Sequence, residues 1–157
     1  MDPKTTKIEL SSGADVWVFD PTQRSLREVL AVYLGEEAAG IVIVRGEHGK
    51  PRLARGGLEF NLSHSGKLAL LAVSRTRTVG VDVERLKPNR DFLALAEKAL
   101  AADAVEEVRE AAPEERPAVF YRHWVRHEAR LKCLGTGPHP ESEEEADVHE
   151  GAEREGR

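Results

Sequence analysis

The longest run of strand-like sequence lies between residues 60 and 84. Residues 68–73 are continuously apolar, which suits a strand buried on both faces, although periodicity alone leaves a buried helical segment open. After the polar Arg-Thr-Arg-Thr of residues 75–78, Val79, Val81 and Val83 alternate with Gly80, Asp82 and Glu84. A side-chain period of two predicts a strand with the valines on one side and both acids on the other. Just upstream, Phe60-Asn61-Leu62-Ser63-His64-Ser65-Gly66 also alternates and ends in a turn, which puts Ser63, His64 and Ser65 near a strand end.

The remaining elements follow from the same patterning. Residues 1–14 are polar and predicted loose, and residues 16–19 read as a short strand. Asp20-Pro21-Thr22 marks a turn and a helix start. From Ser25 the apolar positions Leu26, Val29, Leu30, Tyr33 and Leu34 recur at helical spacing, and Gly35 closes the helix. Residues 41–44 are a predicted strand, residues 46–51 a Gly/Pro loop, and residues 52–59 a linker. Beyond residue 84, Asp91 caps a helix running to about Ala101, and Asp103 caps a second one ending near Ala112. Pro117 sits in the first turn of a longer helix that Gly135 stops at about Leu134. On that helix Trp124, Glu128 and Lys132 form one i, i+4, i+8 row.

Composition narrows the class. A chain of 157 residues, 40% of them apolar, can bury one core, possibly divided into two lobes. Without an 18-residue apolar run or a basic-then-apolar amino terminus, neither a membrane span nor a secretion signal is expected, and the expected location is cytoplasmic. The lone Cys133 agrees with a reducing compartment. The net charge of -5 is unevenly spread: residues 138–157 hold eight acids and two arginines, leaving 20 acids against 21 Lys plus Arg in residues 1–137. A near-neutral body without a basic stripe or interleaved aromatics argues against nucleic acid binding.

Three groups carry candidate chemistry, each with a structural alternative. Asp82 and Glu84 on one strand face repel unless a cation lies between them, and oxygen-only ligands at that spacing suit magnesium; the alternative is the solvated face of a half-buried hairpin. His64 beside Ser63 is a poor hydrolase pair, since no Gly-x-Ser-x-Gly elbow is present, and a hydrogen-bonded turn histidine explains it as well. Glu128 and Lys132 form either an exposed helical ion pair or, continuing the row of Trp124, a pair at the edge of the core.

Taken in order, Gly49-Lys50-Pro51, the Phe60 to Gly66 motif, Gly80-Val81-Asp82-Val83-Glu84, and Trp124 with Glu128-Ala129 and Lys132 resemble the phosphopantetheinyl transferases. The likeness is to the larger class, the surfactin synthetase-activating type that serves nonribosomal peptide and polyketide synthases. It implies an α+β fold of two pseudo-symmetric lobes, each with a small antiparallel sheet packed on helices. Residues 15–78 would form the first lobe and residues 79–137 an incomplete second one, followed by a disordered acidic tail at residues 138–157. The implied reaction is magnesium-dependent, with manganese as an alternative ion. It moves 4'-phosphopantetheine from coenzyme A to a serine of an acyl or peptidyl carrier protein and releases adenosine 3',5'-bisphosphate. By position, Asp82, Glu84 and Glu128 would hold the metal, and Glu128, or Glu84 through a water, would be the base. Lys132 would meet the pyrophosphate. Ser63 and His64 would contact the nucleotide 3'-phosphate region, and Lys50, Pro51 and Arg24 the rest of the coenzyme.

The chain departs from that pattern in four places. The stretch between Asp20 and the helix carrying Arg24 is short by several tens of residues, and the strands that follow the Glu-Ala-x-x-Lys helix are missing. An incomplete second lobe would expose apolar surface for a second subunit to cover. Val125 stands where Ser or Thr is usual, and His127 replaces a lysine by a group that titrates near neutrality. Two readings therefore follow: an active enzyme on a reduced scaffold, or a catalytically impaired relic that binds coenzyme A or a carrier protein without turnover.

Overall fold

The computed structural model describes residues 5–136. Its elements are β1 (Thr6–Glu9), β2 (Ala14–Phe19), α1 (Leu26–Leu34), β3 (Ile43–Arg45), β4 (Pro51–Leu53), β5 (Glu59–Ser65), β6 (Leu68–Ser74), α2 (Phe92–Ala99), α3 (Ala102–Glu110) and α4 (Arg116–Leu134). Strands β1, β2, β6 and β5 form an antiparallel sheet in that spatial order, and β3 and β4 make a separate two-stranded ribbon. Among the described residues the fold is α+β, with antiparallel sheets and four α-helices.

One face of the sheet carries the main core. The register places Trp17 opposite Leu71, Phe19 opposite Ala69, and Phe60 opposite Val73. These side chains meet Val29 and Leu30 of α1, with Ile41, Leu53 and Leu58 closing the rim. The α1 helix begins where the sequence can cap it: Ser25 Oγ accepts from Glu28 N–H while the Glu28 carboxylate accepts from Ser25 N–H. It ends at Gly35, whose φ of 65° is the left-handed conformation such a cap requires. At its last turn the Trp17 indole donates to Tyr33 Oη at 2.6 Å, and the Tyr33 hydroxyl donates to Asp15 Oδ2 at 2.6 Å. That chain ties the helix to the sheet.

The first residues differ from expectation. Residues 6–9, predicted loose, form the edge strand β1, because their backbone pairs with β2 from Thr6 opposite Val18 to Glu9 opposite Asp15. Lys7 reinforces the pairing by reaching both Glu9 and Asp15. Pro51, predicted to end a loop, and residues 52 and 53, predicted as linker, pair with β3. Residues 1–4 of the expected loose amino terminus and the expected acidic tail at residues 138–157 lie outside the described residues.

The opposite face of the sheet is covered by the stretch that carries Asp82. Residues 79–84 are extended yet join no ladder, so the predicted hairpin strand is absent. Their N–H groups bond to side chains instead: Val81 N–H donates to Asn61 Oδ1 at 2.9 Å and Val83 N–H to Ser63 Oγ at 3.1 Å. Asn61 pairs with Ala72 across the sheet, and Ala72 packs with Ala14 against Val79. The segment thus crosses the sheet face rather than extending its edge.

From residue 92 the described chain is helical. Phe92, Ala96, Val105, Val108, Phe120, Tyr121 and Trp124 form a second core among α2, α3 and α4. The aromatic rings pack closely, with 5.5 Å between Phe92 and Phe120 and a stacked contact of 5.9 Å between Phe120 and Trp124. Asp91 caps α2 as predicted, whereas α3 starts one residue before Asp103. No strand occurs among the described residues after Ser74, so the small sheet expected of a second lobe is not part of residues 79–136. From residue 92 the apolar positions recur at helical spacing, which cannot line a pleated face, and at residues 79–84 the N–H groups of Val81 and Val83 are taken by Asn61 and Ser63. No helix among the described residues is long and apolar enough to cross a membrane.

The halves touch at Gly80. A Cβ at this position would stand 2.0 Å from Ala129 O and 2.5 Å from Cys133 N, so only glycine lets the segment lie on the α4 backbone. We expect Gly80→Ala to destabilise the fold by roughly 2–4 kcal/mol through overpacking against backbone that cannot yield. A urea midpoint equal to that of the parent would contradict this contact. A second expectation concerns pH. Burial first, and then the hydrogen bond to Asp15, push the Tyr33 phenol up to about 12 from its usual 10.0, against an opposing pull from the Trp17 N–H. The folded state therefore keeps a proton that the unfolded chain releases. This contribution is intact below pH 10.0 and is lost as pH rises through about 12. Urea midpoints measured across that window should fall in the parent and fall less in Tyr33→Phe; equal slopes would remove Tyr33 as the cause.

Candidate active site

Three elements meet behind the sheet: β5, the extended segment, and the last turns of α4. Ser63 Oγ accepts from Val83 N–H at 3.1 Å and from the Lys132 ammonium at 3.2 Å, and donates to Asp82 Oδ1 at 3.1 Å. Lys132 Nζ also donates to Asp82 Oδ1 directly, at 2.5 Å. The Asp82 side chain is 3% exposed and that of Lys132 23%, so this ion pair is largely withdrawn from water. Asp82 Oδ2 is buried and accepts no hydrogen bond among the described residues.

Glu128 lies one helical turn before Lys132 and is 1% exposed. The row Trp124, Glu128, Lys132 thus continues from the aromatic core into the Asp82 contact, as the spacing predicts, and is not a solvent-exposed pair. A carboxylate buried to this degree is costly to keep unless the surroundings compensate it.

Beside this junction opens a cavity of about 250 Å³, lined by Arg45, His48, Lys50, Pro51, Asn61 and Lys132 among others. Three permanent cations and a histidine thus gather around one cavity, a concentration of positive charge that favours an anion. Lys50 Nζ is held by Val79 O at 3.3 Å, which couples the Gly-Lys-Pro loop to the segment carrying Asp82. His48 takes a left-handed φ of 56°, unusual for a residue with a side chain. Sequence reasoning missed Arg45 and His48. Their signal was two further basic residues within the glycine-rich approach to Lys50, which a motif reading passes over.

Other predicted residues fall elsewhere. Arg24 lies over the Trp17 ring, 5.6 Å from its centroid, and does not line the cavity. Ser63 and His64 project to opposite faces of β5, with Ser63 7% exposed and His64 open to solvent. Their side chains point apart, so only Ser63 belongs to the buried junction. Ser63 is turned inward by Asp82 and Val83.

These positions suit a divalent ion in donor type but not in arrangement. The donor type is right, since carboxylate oxygens are the ligands a hard cation takes, and the orphaned Asp82 Oδ2 is an acceptor that a cation would satisfy. The set is not preassembled: among the described residues no group of three His, Cys, Asp or Glu stands close enough to hold a metal. The Asp82 carboxylate is instead turned to Lys132, because an ammonium at hydrogen-bond distance neutralises it without further ligands.

The family model of the 4'-phosphopantetheinyl transferase superfamily matches residues 78–153. The 4'-phosphopantetheinyl transferase HetI of Nostoc sp. is 40% identical over 116 residues, covering 71% of this chain and 49% of the relative. AcpT of Salmonella typhimurium, also named a 4'-phosphopantetheinyl transferase, is 38% identical over 94 residues, 59% of this chain and 49% of its own. The 4'-phosphopantetheinyl transferase psf-1 of Bacillus pumilus is 36% identical over 91 residues, covering 57% and 38%. The chain spans about half the length of the curated relatives it matches.

The bonding at Ser63 yields a direct expectation. Ser63→Ala removes an acceptor from Val83 N–H and from Lys132, and should lower stability by about 1–3 kcal/mol, while Ser63→Thr, which keeps the hydroxyl, should recover much of it. Equal denaturation midpoints for Ser63→Ala and the parent would show that this junction is not held through Ser63.

Proposed function

Because the chain belongs to the 4'-phosphopantetheinyl transferase superfamily, we propose that it transfers 4'-phosphopantetheine from coenzyme A to a serine of an acyl or peptidyl carrier protein. The observation that carries this reading is that Lys132 faces two ways: it holds the buried Asp82 and lines a cavity rich in cations. A diphosphate seated in that cavity would lie beside the acids.

In this reading Lys50 and Pro51, together with Arg45 and His48, receive the phosphates of coenzyme A, and Lys132 takes up the charge that develops on the departing diphosphate. Arg24 and His64 are left for parts of the coenzyme outside this cavity. Asp82, Glu84 and Glu128 would hold a magnesium or manganese ion, which would supply positive charge to offset that of the phosphates. The serine oxygen of the carrier attacks the β-phosphorus, and the bond to adenosine 3',5'-bisphosphate breaks. Glu128, or Glu84 through a water, accepts the serine proton. Glu128 suits the role because its burial excludes bulk water from a carboxylate poised one turn from Lys132. The two-lobed arrangement is part of the same proposal, with residues 15–78 as the first lobe and residue 79 onward as the second.

The purified chain, mixed with coenzyme A, magnesium and an apo carrier protein, should raise the carrier's intact mass by one phosphopantetheine group. Asp82→Ala and Glu128→Ala should each slow this at least about 100-fold with far-ultraviolet circular dichroism largely preserved. An unmodified carrier across several carrier proteins would favour the impaired relic, and full rates in either variant would remove that residue from the mechanism.

A further inference from the structure

The two oxygens of Asp82 are in different situations. Oδ1 takes the Lys132 ammonium at 2.5 Å and the Ser63 hydroxyl at 3.1 Å, whereas Oδ2 is buried without a hydrogen bond among the described residues. Any divalent ion bound through Oδ2 would meet the ammonium across a single carboxylate. At that separation, and in a site where the Asp82 side chain is 3% exposed, two positive charges repel strongly.

We infer that Lys132 and a divalent cation are competing partners of Asp82, and that a phosphate-bearing ligand in the adjoining cavity relieves the competition by drawing the ammonium away. The inference rests on the proposed function for the assignment of Asp82 to a metal. Its geometric basis is independent: Lys132 touches Asp82 and Ser63 on one side and lines the cavity of Arg45, His48 and Lys50 on the other. A compact ammonium on a four-carbon stem can exchange one anion for the other by rotating about side-chain bonds. Ser63 steadies the first position, since its hydroxyl bonds to both members of the pair.

Two consequences follow. The metal alone binds weakly, because it must displace or tolerate the ammonium. A diphosphate and the metal then each raise the affinity for the other, by the same factor in both directions. Lys132 thereby makes the acidic site wait for its anionic ligand, in addition to any part it takes in transfer.

The test is binding, without turnover. Manganese is titrated calorimetrically into the full chain, Lys132→Gln and Lys132→Arg. Removing the charge should tighten manganese binding by about tenfold, and Lys132→Arg, which keeps it, should stay near the parent. Equal or weaker binding by Lys132→Gln overturns the competition. Should Lys132→Gln fail to fold, the parent serves: acetylation of the Lys132 amine, read by peptide mass spectrometry, should accelerate several-fold as manganese is added, and an unchanged rate overturns the inference. If the parent transfers phosphopantetheine while neither readout moves, only the competition is lost. If no protein binds manganese and the carrier stays unmodified, the metal assignment falls together with it.

Discussion

The site depends on a backbone contact. At residue 80 the extended segment comes so near to Ala129 and Cys133 of α4 that no side chain fits. This approach fixes where Asp82 lies, two residues on, relative to Lys132, which sits on the same turn of helix as Cys133. The other side of the segment is fixed by Asn61 and Ser63, which replace the missing strand partner by accepting from alternate N–H groups. A ribbon held between a sheet face and a helix in this way has little freedom to slide, because a shift of one residue would bring a valine into the space of Gly80.

The electrostatics follow from that placement. Breaking a buried ion pair by deleting one member typically costs about 3–5 kcal/mol, since the remaining charge is left uncompensated. Replacing both members by apolar groups would often be neutral or better, so the Lys132–Asp82 pair is poor evidence of selection for stability alone. Its position beside a cationic cavity gives another reason for it. Lys132 keeps Asp82 neutralised while remaining within reach of an anion, and Glu128 stays buried one turn away. Tyr33 and Asp15 illustrate the contrast: their network is also part-buried, but it joins α1 to β2, does not line this cavity and serves the architecture.

Membership of the transferase superfamily and the half-length match to its relatives frame how the two cores should be read. The sheet with α1 forms one closed core and the three later helices form another. Between them lies a small apolar contact of Ala14, Ala72 and Val79. Ser63, Asp82 and Lys132 meet at this seam. Side chains from β5, the crossing segment and α4 can therefore address one ligand, although they come from residues as far apart as Ser63 and Lys132.

Much of this was legible in the chain. Apolar spacing located α1 and α4, Ser25 and Gly35 fixed the ends of the first, Asp91 and Gly135 capped others, and the continuous apolar run at β6 marked a strand buried on both faces. The same row logic correctly turned Glu128 toward the core, and motif order pointed to Asp82 and Lys132. These are short-range facts, settled by periodicity and by local hydrogen bonding. What the sequence left undecided were relations between distant segments. Alternation at residues 79–84 looks the same whether its N–H groups meet a neighbouring strand or the side chains of Asn61 and Ser63. Basic residues such as Arg45 and His48 read as loop decoration until a cavity forms around them. Whether Asp82 faces a metal or an ammonium depends on distances of a few ångströms between elements 50 residues apart, and only packing in three dimensions sets those.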